Sequence, residues 1–134
     1  MKLLIVLSIF FSAASFAGNR ESGGRVGASA VYIDFKSFGT GIDSATKETF
    51  EILLRAAKAR GEVVDETVEL KGREGETINC VQLSNASQRY NFIQPIAYSI
   101  LMDTQNSGIK RTSVYVGMDC HSFDSATEQD LSKY

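Results

Sequence analysis

Residues 30–61 read AVYIDFKSFGTGIDSATKETFEILLRAAKARG, and this stretch decides the fold. Val31, Ile33 and Phe35 alternate with Tyr32, Asp34 and Lys36, the two-residue period of a half-buried strand. Phe38-Gly39-Thr40-Gly41 is a turn. Asp43 or Ser44 then caps a helix. Phe50, Leu53, Leu54 and Ala57 follow at helical spacing, while Lys47, Glu48, Glu51, Arg55 and Lys58 take other faces. Glu51 and Arg55 are spaced to pair along that helix. Gly61 closes it.

Downstream the pattern resumes. Val64, Val68 and Leu70 share one strand face, with Glu66 as the exception. Residues 71–76, KGREGE, make a hairpin loop with two glycines. Thr77 to Leu83 is the partner strand, and Ser84 to Tyr90 a loop. Phe92, Ile93, Ile96, Ala97, Ile100 and Leu101 then recur at helical spacing. Pro95 lies inside this run and fits best in a first turn, where a missing N–H costs least. The helix is therefore predicted to start between Asn91 and Gln94 and to stop at Asn106-Ser107-Gly108. Thr112, Val114, Val116 and Met118 alternate with Arg111, Ser113 and Tyr115 in a last strand. The polar tail, residues 119–134, has one or two helical turns between Asp124 and Leu131. Asp43-Ser44-Ala45-Thr46 recurs as Asp124-Ser125-Ala126-Thr127, a reuse of a capping sequence.

The element order β-α-β-β-α-β predicts an α+β protein of the ferredoxin-like kind: a four-stranded antiparallel sheet in the order 4-1-3-2, with both helices on one face. The term is architectural, since no iron–sulfur motif is present.

Residues 1–17 read as a secretory signal peptide. Lys2 supplies the positive end, Leu3 to Phe11 the apolar run, and Ser15-Phe16-Ala17 a cleavage site after Ala17. A membrane span needs about 20 apolar residues, and Gly18-Asn19-Arg20-Glu21 interrupts this run too early, so no stable membrane anchor is expected. Residues 18–29 form a flexible, glycine-rich leader, residues 30–118 the domain. The expected location is periplasmic or extracellular. The 134 residues carry 14 basic and 16 acidic groups, a formal charge of −2 that becomes −3 once Lys2 leaves. That balance argues against a nucleic-acid partner. The single histidine and two cysteines leave no multi-histidine metal centre and no four-cysteine zinc site, so neither metal nor cofactor is expected.

In an exported chain Cys80 and Cys120 read as a disulfide, worth about 4 kcal/mol on a chain-entropy basis. Strand 1 lies between strand 3, which carries Cys80, and strand 4, and Cys120 is just past strand 4, so the tail can turn under or across strand 1 to close the bridge. Val81 and Leu83 suit the helix-covered face, which puts Cys80 on the other. The opposite assignment, with Ile78 and Cys80 inward, stays open.

Few residues suggest chemistry. His121 beside Cys120 is an exposed tail histidine, because a bridged cysteine is no nucleophile. Asp119, Cys120 and His121 match no standard metal spacing. The Gly39-Thr40-Gly41 loop leads into a helix N-terminus but lacks the phosphate-binding fingerprints. Glu66 and Glu69, or Glu74 and Glu76, are carboxylate pairs expected to be solvated. Asn85-Ala86-Ser87 is a glycosylation sequon on a loop. The constellation of most interest is the open sheet face, where Tyr32, Asp34, Lys36, Arg111 and Tyr115 are expected together with Ser113. Tyrosine and arginine favour interfaces, and this face can be a contact surface. Alternatively the tail covers it, with Phe123 and Leu131 packed on the tyrosines.

These observations lead to a small exported, non-catalytic domain that binds another macromolecule, a protein rather than a small ligand. The alternative is a secreted enzyme or ligand-binding protein using Tyr32, Asp34, Arg111 and Tyr115. A concave pocket around those four residues separates the two readings.

Overall fold

The computed structural model describes residues 29–134. The signal-peptide reading and the leader, except its last residue, fall outside them. Ser29 is itself buried, and its carbonyl accepts from the Leu83 N–H at 3.0 Å.

The protein is α+β. Strand β1 (Ala30–Phe35) leads to helix α1 (Ser44–Ala59), strands β2 (Val63–Leu70) and β3 (Thr77–Leu83), helix α2 (Arg89–Ser107), strand β4 (Thr112–Gly117) and a short strand β5 (Thr127–Glu128). The strands pair antiparallel in the order β2-β3-β1-β4-β5. The expected sheet of four strands is thus corrected to five. A two-residue strand has no readable alternation, so its pairing with β4 left no trace in the pattern.

Helix α1 begins where Asp43 accepts a hydrogen bond from the Thr46 N–H at 3.0 Å, and Gly61 beyond its end has φ +71°. Helix α2 starts earlier than expected, at Arg89. A preceding 3₁₀ turn, Ala86–Gln88, is capped reciprocally by the side chains of Asn85 and Gln88, which directs the chain into the helix. Pro95 therefore sits inside α2, not in its first turn. Its missing N–H concerns the carbonyl of Asn91, an exposed residue that water can reach. The sequon residue Asn85 is part of this cap.

The main core lies between the helices and one sheet face. Val31, Ile33, Phe35, Val81, Leu83, Val114 and Val116 meet Phe50, Ala57, Phe92, Ile93, Ile96 and Ile100. Both helices therefore cover the same face. A smaller cluster fills the opposite face, from Ala30, Tyr32, Ile78, Cys80 and Cys120. This resolves the orientation of β3: Val81 faces the helices, and Cys80 and Ile78 point away.

Strand β2 departs from its reading. A register shift between Val63 and Asp65 breaks the alternation, so Val64 does not continue the face of Val68 and Leu70. These three residues are 60%, 57% and 77% exposed, because β2 is the sheet edge, with no strand beyond it among the described residues.

Candidate functional site

The open sheet face is covered over its tyrosines. After β4 the chain turns beneath Tyr32, whose hydroxyl donates to the Asp119 carbonyl and accepts from the Ser122 N–H at 3.3 Å. Cys120 then reaches Cys80, with a Cα–Cα distance of 5.5 Å. The tail does cross strand β1, as the bridge requires. Phe123 lays its ring 5.1 Å from both Tyr32 and Tyr115. Gly117 makes this close approach possible, since a Cβ there would stand 3.2 Å from the Tyr32 ring and 3.4 Å from the Ala126 side chain. Tyr32 is left 2% exposed. Burial raises its pKa above the usual 10.0; the Ser122 N–H opposes that rise, and the Asp119 charge adds to it.

The structure places the five predicted face residues in two groups. Tyr32, Asp34, Lys36 and Tyr115 stay with the open face, and Asp34 and Lys36 form an ion pair at 3.3 Å. Those two residues, with Lys71, Glu76 and Ile78, line a notch of about 250 Å³ that the tail leaves uncovered. Arg111 is elsewhere. It precedes β4, outside the strand alternation, and its guanidinium binds both carboxylate oxygens of Asp103 on α2 and the Gly41 carbonyl at 3.2 Å. The Asp103 hydrogen bonds, aided by the charges of Asp103 and Asp43 against a desolvation cost, hold Arg111 firmly protonated. Arg111 is thus a clamp between the first turn and the second helix.

The other sequence candidates are engaged structurally. His121 is 72% exposed and stands 3.0 Å from Asp65. Glu66 pairs with Lys58 and Glu69 with Lys71. Glu74 accepts from the Ser37 hydroxyl and Glu76 from the Ser37 N–H, which ties the hairpin to the glycine loop. Among the described residues no group of three His, Cys, Asp or Glu side chains is placed to hold a metal ion. No described helix is long and apolar enough to cross a membrane.

The tail does not end on the open face. It forms β5 against β4, and Gln129 N–H donates to the Val114 carbonyl at 2.8 Å. It then rounds the edge of the sheet to the helix layer. Leu131 is buried in the main core, so its expected seat on the tyrosines is corrected; only Phe123 packs there. The one or two helical turns expected between Asp124 and Leu131 are 3₁₀ turns at Phe123–Ser125 and Leu131–Lys133, with β5 between them. Tyr134 finally stacks on Tyr90 of α2, ring centres 5.4 Å apart.

Where the tail stops, a groove opens. It measures about 640 Å³ and is lined chiefly by Pro95, Tyr98, Leu101 and Met102 of α2 with Leu131 and Tyr134 of the tail. Tyr98, Leu101 and Met102 are 68%, 47% and 40% exposed. Sequence reasoning assigned Leu101 to the inner face and overlooked this surface. The available signal was charge: residues 89–107 contain only Arg89 and Asp103 as charged residues, far fewer than an ordinary solvated helix carries. Against protein-family models, curated proteins and solved structures, the chain finds no match.

Proposed function

We propose that this chain is an exported, non-catalytic domain that binds another protein, and that the outer face of α2, not the open sheet face, makes the contact. The carrying observation is the pairing of two facts. The tyrosine-bearing sheet face is sealed by the chain's own tail, whereas α2 presents Tyr98, Leu101 and Met102 to solvent beside the Tyr134 end. Aromatic and methionine side chains surrounded by uncharged polar groups make favourable interface centres. Export is supported by the signal-like residues 1–17 and by the disulfide, which belongs to oxidising compartments. We further read β1 to β4 with the two helices as a ferredoxin-like sandwich, to which the tail adds β5.

What favours this over the enzyme reading is the placement of three of the four residues that reading used: Tyr32 and Tyr115 face Phe123, and Arg111 is committed to Asp103. The test is to isolate the exported chain natively, identify what is bound, and reconstitute the pair with purified components in a calorimeter. Binding should be lost in Tyr98→Glu and kept in Val68→Glu. Binding unaffected by Tyr98→Glu refutes this surface, and turnover of a bound molecule refutes the non-catalytic reading.

A further inference from the structure

We propose that the uncovered part of the open sheet face binds a free α-amino acid as its zwitterion, in the notch between β1 and β2. This site is separate from the α2 contact and goes beyond it.

The first observation is a buried charge with spare capacity. Asp34 is 9% exposed and sits on β1, the central strand. Its one partner among the described residues is the Lys36 ammonium at 3.3 Å. Charge-assisted bonds of this kind are usually about 2.7–2.9 Å long, and a carboxylate offers about four acceptor sites. Asp34 lines the notch, so a ligand there can reach the sites that Lys36 leaves unused. The group they lack is a cation rich in N–H donors.

The second observation is the layout of charge. Ile78 of β3 lies opposite Asp34 of β1 on one side and opposite Glu69 of β2 on the other. Two residues beyond each carboxylate stands a lysine, Lys36 and Lys71. Lys36 pairs with Asp34, and Lys71 with Glu69 at 2.8 Å. The two sides of the notch therefore run the same way, each from a carboxylate to an ammonium. These charges sum to zero. A lone cation gains from the carboxylates and loses to the lysines, and a lone anion does the reverse. A compact zwitterion laid over Ile78 gains at both ends.

The third observation is the end wall and the size. Glu76 lines the notch but forms no ion pair with either lysine among the described residues. Its carboxylate accepts from the Ser37 N–H at 3.2 Å and takes the space that a Cβ at Gly72 would fill. The lysine ammonium groups thus stay available to a ligand carboxylate. Buried Ile78 gives an apolar floor on which a short side chain rests. A space of about 250 Å³ admits an amino acid, whereas a helix of a partner protein, about 10 Å across, is too thick for it.

Amide NMR spectra of the exported form, titrated in turn with each common L-amino acid, test the proposal. At least one amino acid should shift the Asp34, Ile78 and Lys71 signals saturably and leave those of α2 in place. Its carboxamide and its N-acetyl derivative each lack one charge and should bind about tenfold more weakly or worse. Asp34→Asn should weaken binding to a similar extent. Lys71→Met, on the exposed hairpin, should do the same and serves if the buried Asp34 variant misfolds. Tyr98→Glu should leave the affinity unchanged, which separates this site from the proposed protein contact. No saturable shift with any of the amino acids overturns the proposal. So does a single-charge derivative that binds as tightly as the parent, since a simple ion is then the ligand. Unchanged affinity in Lys71→Met, or loss of binding in Tyr98→Glu, places the ligand elsewhere and overturns it too.

Discussion

Tyr32 holds the tail by its hydroxyl and by its ring, and the donated bond to Asp119 and the burial of the ring depend on a neutral phenol, whereas the Ser122 N–H favours the ionised form. A phenolate could not donate to the Asp119 carbonyl, and it would lose solvation beneath Phe123. Its folded pKa is raised above the ordinary value, so the stabilising contribution is complete below pH 10.0 and is lost as pH rises through the folded pKa. Spectrophotometric titration should show a late tyrosinate phase coinciding with loosening of the tail, and Tyr32→Phe should abolish that phase. Survival of the phase in the variant would place its origin in another residue. Thr112 offers the opposite experiment. Its hydroxyl is buried with no hydrogen-bond partner among the described residues. Thr112→Val keeps the shape and removes an unsatisfied polar group, so the unfolding free energy from urea denaturation should rise by about 1 kcal/mol. A drop would reveal a partner for that hydroxyl. The ring contact was legible beforehand, since alternation put Tyr32 on the open face and the tail with Phe123 was one of the two covers expected for it. The hydroxyl's hold on Asp119 and Ser122 and the orphaned Thr112 hydroxyl were not, and Arg111 escaped prediction because a long side chain outside a strand reaches beyond its nominal face.

At the scale of elements, the legible parts are those whose local chemistry and tertiary contacts agree. Helix α1 is the clear case. Asp43, one of the two capping candidates with Ser44, is 1% exposed and holds the Thr46 N–H and hydroxyl, and Thr46 in turn meets Ser99 of α2 at 2.8 Å. One aspartate thus caps a helix and joins two helices. Asp43→Ala should cost about 2 kcal/mol or more, and Asp43→Asn clearly less, since asparagine also caps. Chemical denaturation checks the pair; equal losses would mean that the charge near Arg111, not the cap, is what matters. Strand β2 is the contrary case. Val64 and Val68 look like core by pattern, yet the strand's place at the edge leaves them in water, while Val63 packs on the core. Pattern reports which residues share a face and is silent on whether anything covers that face. The same silence hid the outer α2 face, because the inner apolar stripe accounts for the helix and nothing local demands a second one.

At the scale of the molecule the tail is a belt. It is pinned to the open face by the disulfide and Phe123, to the sheet edge by β5, and to the helix layer by Leu131 and Tyr134. This explains how a sheet with aromatic residues on both faces is closed by the two helices of the described residues. It also makes the two anchors interdependent. Cys80→Ala with Cys120→Ala should cost about 4 kcal/mol at most, chiefly by freeing the unfolded chain. Leu131→Ala, at a residue 6% exposed, should cost about 2–4 kcal/mol. If the belt docks as one unit, the disulfide-free protein has already loosened it, and losing Leu131 then matters less. The combined loss should fall short of the separate losses by more than about 0.5 kcal/mol, although Leu131 and Cys120 lie in different core clusters. Urea unfolding of the four proteins closes this cycle. Strict additivity would show instead that the two ends of the tail dock independently, each stabilising only the layer it touches.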